Sequence, residues 1–74
     1  MSNRLMAYFQ YSHLPEGPIR ESSASCAELA AKFDEGLPES AEKTAGLRKL
    51  LEAKDCFVRA TLDEVKAAKA AEAA

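Results

Sequence analysis

Residues 41–74 of this 74-residue chain contain no proline and a single glycine, and their apolar residues return at helical spacing. Proline ends helices because it lacks a donor and clashes with the preceding turn, so its absence here permits one long helix. Ser40 is a good cap for its first turn, and Glu42 there suits the positive end of the helix dipole. The helix is expected over 40–70. Leu47, Leu51, Val58 and Val65 form one stripe, and Leu50 and Phe57 form a second beside it. Together they make an apolar arc wider than one neighbouring helix covers. The alanine-rich tail from Lys66 onward has no core face and is expected to fray.

A first long helix is expected over 18–36. Pro18 suits a first-turn position, and Cys26, Leu29, Ala30, Phe33 and Leu37 follow the spacing of one apolar face. Ser25 with Glu28 offers a capping box, which gives an alternative start near Ser25. Gly36 is expected to close the helix in a left-handed conformation, and Pro38 blocks continuation. The short Gly36–Ser40 connection makes the two helices antiparallel neighbours. Residues 1–17 form an N-terminal aromatic segment, with a short helix expected near 3–9. Leu14-Pro15-Glu16-Gly17-Pro18 reads as a turn or helix entry.

The expected fold class is therefore all-α. A short N-terminal segment or helix and two long antiparallel helices make one domain, 1–74. A chain this short supplies only about 3–5 kcal/mol from its own core. That shortage and the surplus apolar arc predict assembly as a homo-oligomeric helical bundle.

Hydrophobic residues at 47% exclude a disordered tail, and fifteen alanines with no tryptophan favour helices. The net charge of −2 argues against gripping DNA by charge. No segment approaches the roughly 20 apolar residues of a membrane span. No apolar run follows a basic start, so Cys26 and Cys56 are expected to be free thiols in a cytoplasm. With His13 they are too few and too scattered for a zinc site, and no cofactor is implied. Residues 21–46 carry −4, whereas 1–20 and 47–74 each carry +1. An anionic ligand is expected near the ends of the sequence rather than its middle.

Catalytic chemistry has little to work with, since the lone histidine has no recognisable nucleophile and no glycine-rich phosphate loop is present. The chain is expected not to be an enzyme. The cluster Tyr8-Phe9-Gln10-Tyr11-Ser12-His13 is more informative. Its rings can stack on bases and its polar groups can reach phosphates. The plainer reading is that Phe9 and one tyrosine staple the segment onto the helices. Lys54 interrupts the Leu47–Val65 stripe; it can snorkel, pair with an acid, or face an anion at an interface. Arg48, Lys49 and Arg59 add cations to the same helix, either as phosphate contacts or as a solvated face. Gly46 lies inside the helix at a cost of about 1 kcal/mol, which close approach of another helix would explain, as would simple drift.

Tyr8-Phe9-x-Tyr11-Ser12-His13-Leu14-Pro15, Leu37-Pro38-x-x-x-Glu42-Lys43, Leu47-Arg48-Lys49-Leu50-Leu51-Glu52-Ala53-Lys54-Asp55 and Val58-Arg59-Ala60 together carry a resemblance. The chain resembles small phage-encoded anti-CBASS proteins, cyclic-nucleotide sponges, over roughly residues 8–62. The resemblance implies a helical homohexamer in the cytoplasm of the infected bacterial host. Such a protein binds 3′,3′-cGAMP and related cyclic dinucleotides, and separately cyclic trinucleotides such as cyclic tri-AMP. It sequesters them without cleavage and so denies the host's defence effector its signal.

By the same resemblance, a cyclic-dinucleotide site would draw on Tyr8 or Tyr11, with Ser12, His13, Arg20 and Ser23. The family's pattern has a cation near the start of the first long helix; here Arg20 precedes Ser22-Ser23, and the next cation is Lys32. Arg59, with Lys54, matches the segment expected at a cyclic-trinucleotide site. The alternative function is a small helical oligomeric protein-interaction module whose apolar arc captures a partner helix.

Overall fold

The computed structural model describes residues 3–73; Met1, Ser2 and Ala74 lie outside the described residues. A short 3-10 helix, Arg4–Phe9, precedes two α-helices, α1 (Pro18–Gly36) and α2 (Ala41–Ala73). There is no strand among the described residues, so the fold is all-α.

Each helix start has a local cause. The Asn3 side chain accepts from the Leu5 N–H at 3.0 Å and caps the 3-10 helix. Gly17 has φ +139°, a conformation side chains avoid, and it delivers the chain to Pro18 at the head of α1. The alternative start near Ser25 is not used. Ser40 Oγ accepts from the Lys43 N–H at 3.0 Å, the capping geometry expected ahead of α2.

The end of α1 departs from expectation. Gly36 is the last helical residue and has no positive φ; Leu37 is extended, and its N–H bonds the Phe33 carbonyl at 3.1 Å. The Lys43 ammonium closes the helix instead, donating to the carbonyls of Asp34 and Leu37, each at 2.8 Å. A cation from the next helix satisfies orphan carbonyls that a left-handed glycine turn would otherwise have served. The tail also differs: α2 stays helical to Ala73, beyond the expected end at 70, although each residue from Lys66 to Ala73 is exposed. Alanine's helix propensity sustains it without packing.

Two cross-links fix α1 and α2 as antiparallel. Ser22 Oγ lies 2.7 Å from Thr61 Oγ1 at one end, and Lys43 Nζ lies 3.1 Å from Asp34 Oδ1 at the other. The 3-10 helix packs against both. Its core wedge is Phe9, which fills the space between Ala30 of α1 and Leu47 of α2; Leu5, Met6, Ala27, Leu50 and Leu51 pack around them. Ala30 is small enough to leave that space, and burying the Phe9 ring is worth about 1.5–3 kcal/mol.

Beneath Asn3 lies a buried polar knot. The Asn3 N–H donates to Asp34 Oδ1 at 2.9 Å, and its side-chain amide donates to Glu39 Oε2 and Thr44 Oγ1, each at 3.0 Å. Lys43, with its side chain 3% exposed, also pairs with Glu39 Oε1 at 2.7 Å. The Glu39 hydrogen bond, followed by those to and the field of Asp34, holds the Lys43 ammonium above its ordinary pKa of 10.5, against the opposing pull of burial. One network thus ties the N-terminal segment, the end of α1 and the start of α2 together.

Candidate ligand-binding cleft

The 3-10 helix ends beside the middle of α2, and the last turn of a 3-10 helix leaves carbonyls without partners. Lys54 meets that need. Its Nζ donates to the Tyr8 carbonyl at 2.9 Å and lies 6.0 Å from the centre of the Phe9 ring. Asp55 Oδ1 stands at 3.6 Å, an ion-pair distance too long for a good hydrogen bond. An ammonium has three donors, so Lys54 retains capacity for a further acceptor. The interruption of the apolar stripe is therefore an anchor within the chain.

Around Lys54 lies a cleft of about 360 Å³ whose lining includes Tyr8, His13, Ser23, Asp55 and Val58. Tyr8 is 64% exposed, so its ring is available to a ligand. The Leu14 N–H bonds the Tyr11 carbonyl at 3.0 Å, closing a turn with Ser12 and His13 at its centre. Ser23, 2% exposed, belongs to the inner wall on α1.

Four of the residues expected at a site, Tyr8, His13, Ser23 and Lys54, thus come together. The others do not join them. Tyr11 is half-buried and pairs with Arg20, whose guanidinium carbon lies 5.7 Å from the ring centre. Tyr11 borders a separate shallow hollow with Met6, Phe9 and Ala27. Ser12 is exposed on the turn. Arg59 is exposed too, and its guanidinium reaches the Cys56 sulfur at 3.5 Å, one turn back on α2. Lys54 and Arg59 therefore belong to different surroundings within one chain. Asp55 and Val58 are cleft residues that sequence reasoning did not place at a site; Asp55 follows Lys54 directly, which was the available signal.

The second apolar stripe is left open. Leu29 and Phe33 of α1, with Leu37 just past its end, face Leu50 of α2 across a groove, and Phe57 lies 58% exposed further along it. Cys26 is buried at this groove and Cys56 is exposed; both are free thiols. Among the described residues no three His, Cys, Asp or Glu side chains gather as a metal site requires, and no helix is long and apolar enough to cross a membrane.

No family model matches the chain, and neither a curated protein nor a solved structure matches it.

Proposed function

We propose that the chain binds cyclic oligonucleotide second messengers and sequesters them without cleavage, as the resemblance to anti-CBASS sponges implies. The observation that supports this reading is the convergence of Tyr8, His13, Ser23 and Lys54 on one cleft. The exposed ring is a stacking platform for a base. The ammonium has donor capacity for a phosphate, and the imidazole and the hydroxyl supply further hydrogen bonds. Asp55 is an acceptor for the N–H groups of a guanine edge and balances the charge of Lys54.

The cleft is at the lower end of the roughly 300–1,000 Å³ range of ligand sites. It therefore takes one nucleotide unit, and the rest of the ring lies outward or against another copy of the chain. Such a protein acts as a homo-oligomer, hexameric by the resemblance, in the cytoplasm of the infected bacterial host, where it blocks CBASS signalling. Arg59 is the cation proposed for cyclic trinucleotides, at a place apart from the Tyr8 cleft. Calorimetric titration of 3′,3′-cGAMP into wild type and into His13→Ala tests the reading. Saturable binding that weakens in the variant is expected, and identical isotherms would remove this cleft from the site.

A second reading, a module that captures a foreign amphipathic helix, draws support from the open groove between α1 and α2. The oligomeric state of the free chain separates the two, because a closed assembly leaves no groove to offer.

A further inference from the structure

The side chains that line the Tyr8 cleft differ in what they can tell apart. Tyr8, Gln10, His13 and Ser23 carry groups that both donate and accept hydrogen bonds, so they fit the edge of any base. Two neighbours on α2 have a fixed sense. The Lys54 ammonium only donates, and the Asp55 carboxylate only accepts. Stacking on Tyr8 adds no strong preference, because every base has a face to offer.

Both one-way groups have capacity to spare. Lys54 Nζ gives one donor to the Tyr8 carbonyl at 2.9 Å, which fixes where the ammonium stands. It lies 3.6 Å from Asp55 Oδ1, too far for a strong mutual hydrogen bond. The Asp55 carboxylate has no other bond or ion pair among the described residues, and its side chain is 53% exposed. Its two oxygens are therefore open to a ligand beside a held cation.

A donor next to an acceptor-only fork selects among the bases. Guanine is the one common base with two N–H donors side by side on its pairing edge, N1–H and the 2-amino group, and its O6 acceptor adjoins them. A carboxylate takes two parallel N–H groups as a bidentate pair, as it does with arginine, and lysine is a usual partner of O6. Adenine and cytosine each present an amino group beside a ring nitrogen whose lone pair would face the second carboxylate oxygen. Uracil presents one N–H between two carbonyls. Each leaves part of the fork unpaired, and a site built to hydrogen-bond a donor rejects the analogue that lacks it. The cleft, about 360 Å³, takes one nucleotide unit, so a ligand with two different bases must enter by one end.

We propose that Lys54 and Asp55 read a guanine edge, so that the guanine half of 3′,3′-cGAMP enters the Tyr8 cleft and its adenine half lies outward. The proposal rests on the cyclic-nucleotide reading of this cleft and adds the base that the cleft prefers. The test is titration calorimetry of the full-length chain with cyclic di-GMP, 3′,3′-cGAMP, cyclic di-IMP and cyclic di-AMP, for wild type and Asp55→Asn. Asparagine matches aspartate in size, and the exposed Asp55 side chain has only Lys54 as a partner, so the fold is retained. Wild type is expected to bind cyclic di-GMP and 3′,3′-cGAMP at least about tenfold tighter than cyclic di-AMP. Cyclic di-IMP keeps O6 and N1–H but lacks the 2-amino group, and it is expected to bind more weakly than cyclic di-GMP. Asp55→Asn is expected to cut the advantage of cyclic di-GMP over cyclic di-AMP at least about fivefold. A merely structural carboxylate would weaken all the ligands alike and leave that ratio unmoved. Equal wild-type affinities for cyclic di-GMP and cyclic di-AMP, or a ratio unchanged in Asp55→Asn, would overturn the guanine assignment and leave cyclic-dinucleotide capture standing. Wild type binding none of the four would overturn both.

Discussion

The Lys54 ammonium is held 2.9 Å from the main-chain oxygen of Tyr8, 46 residues earlier in the chain. That bond places the exposed Tyr8 ring and a cation on one cleft, and it makes the 3-10 helix part of the site as well as part of the core. Lys54 is therefore both an anchor for the N-terminal segment and a candidate phosphate ligand, two roles that substitution can separate.

The two tyrosines are expected to behave differently. Tyr8→Ala removes the exposed platform beside Lys54, and loss of one stacked base costs about 1–3 kcal/mol. Tyr11→Ala removes a ring engaged by Arg20 on a separate hollow, and its effect on 3′,3′-cGAMP affinity is expected to be the smaller. Titration calorimetry of both variants provides the check; a larger loss in Tyr11→Ala would move the site to the Arg20 side of the molecule.

Lys54→Arg keeps the cation and a donor for the Tyr8 carbonyl, whereas Lys54→Met loses both. Ligand affinity and the thermal midpoint are expected to fall together in the methionine variant, with affinity largely kept in the arginine one. Unimpaired ligand binding by a folded Lys54→Met protein would leave Lys54 an anchor and nothing more.

Alkaline titration should expose the polar knot. The fold raises the Lys43 pKa above 10.5, so the charged form is the one the fold favours. Its contribution is full below about pH 10.5 and is lost as pH rises through the raised value. The urea midpoint of wild type is expected to fall across that alkaline range. Lys43→Met should be less stable at neutral pH and should show a shallower alkaline decline. Parallel slopes for the two proteins would show that other groups govern it.

Ser22 and Thr61 should be energetically coupled, because their oxygens meet at 2.7 Å across the helix pair. Each single substitution to alanine is expected to cost about 0.5–1.5 kcal/mol, and the double variant less than the sum. Additive losses in urea unfolding would mean that the hydroxyl pair contributes nothing as a pair.

The helices were legible because their boundaries are written locally: Pro18 after Gly17, and Ser40 before a proline-free run. The Gly36 expectation failed for a tertiary reason. Glycine is the usual way to end a helix, but Lys43 folds back onto the α1 carbonyls and removes the need. The knot of Asn3, Asp34, Glu39 and Lys43 was illegible for the same reason, since each residue alone reads as solvated surface and only the packing buries Asn3, Asp34 and Lys43 against the exposed Glu39. Lys54 was visible as an anomaly on the apolar stripe. Its acceptor was not, because a main-chain oxygen carries no sequence signature. Tyr8, His13 and Ser23 were candidates by residue type and by the resemblance; their convergence depends on the turn at Ser12–His13 and on the bond that ties the 3-10 helix to Lys54 of α2.

The central claim is capture without cleavage, and a capture-and-release assay addresses it directly. The protein is mixed with excess 3′,3′-cGAMP, freed of unbound ligand on a filter and heat-denatured, and the released material is identified by mass; cyclic tri-AMP is treated in parallel. Intact cyclic ligand in a fixed ratio to protein is the predicted result. Linear product, or no ligand released in either arm, would contradict it.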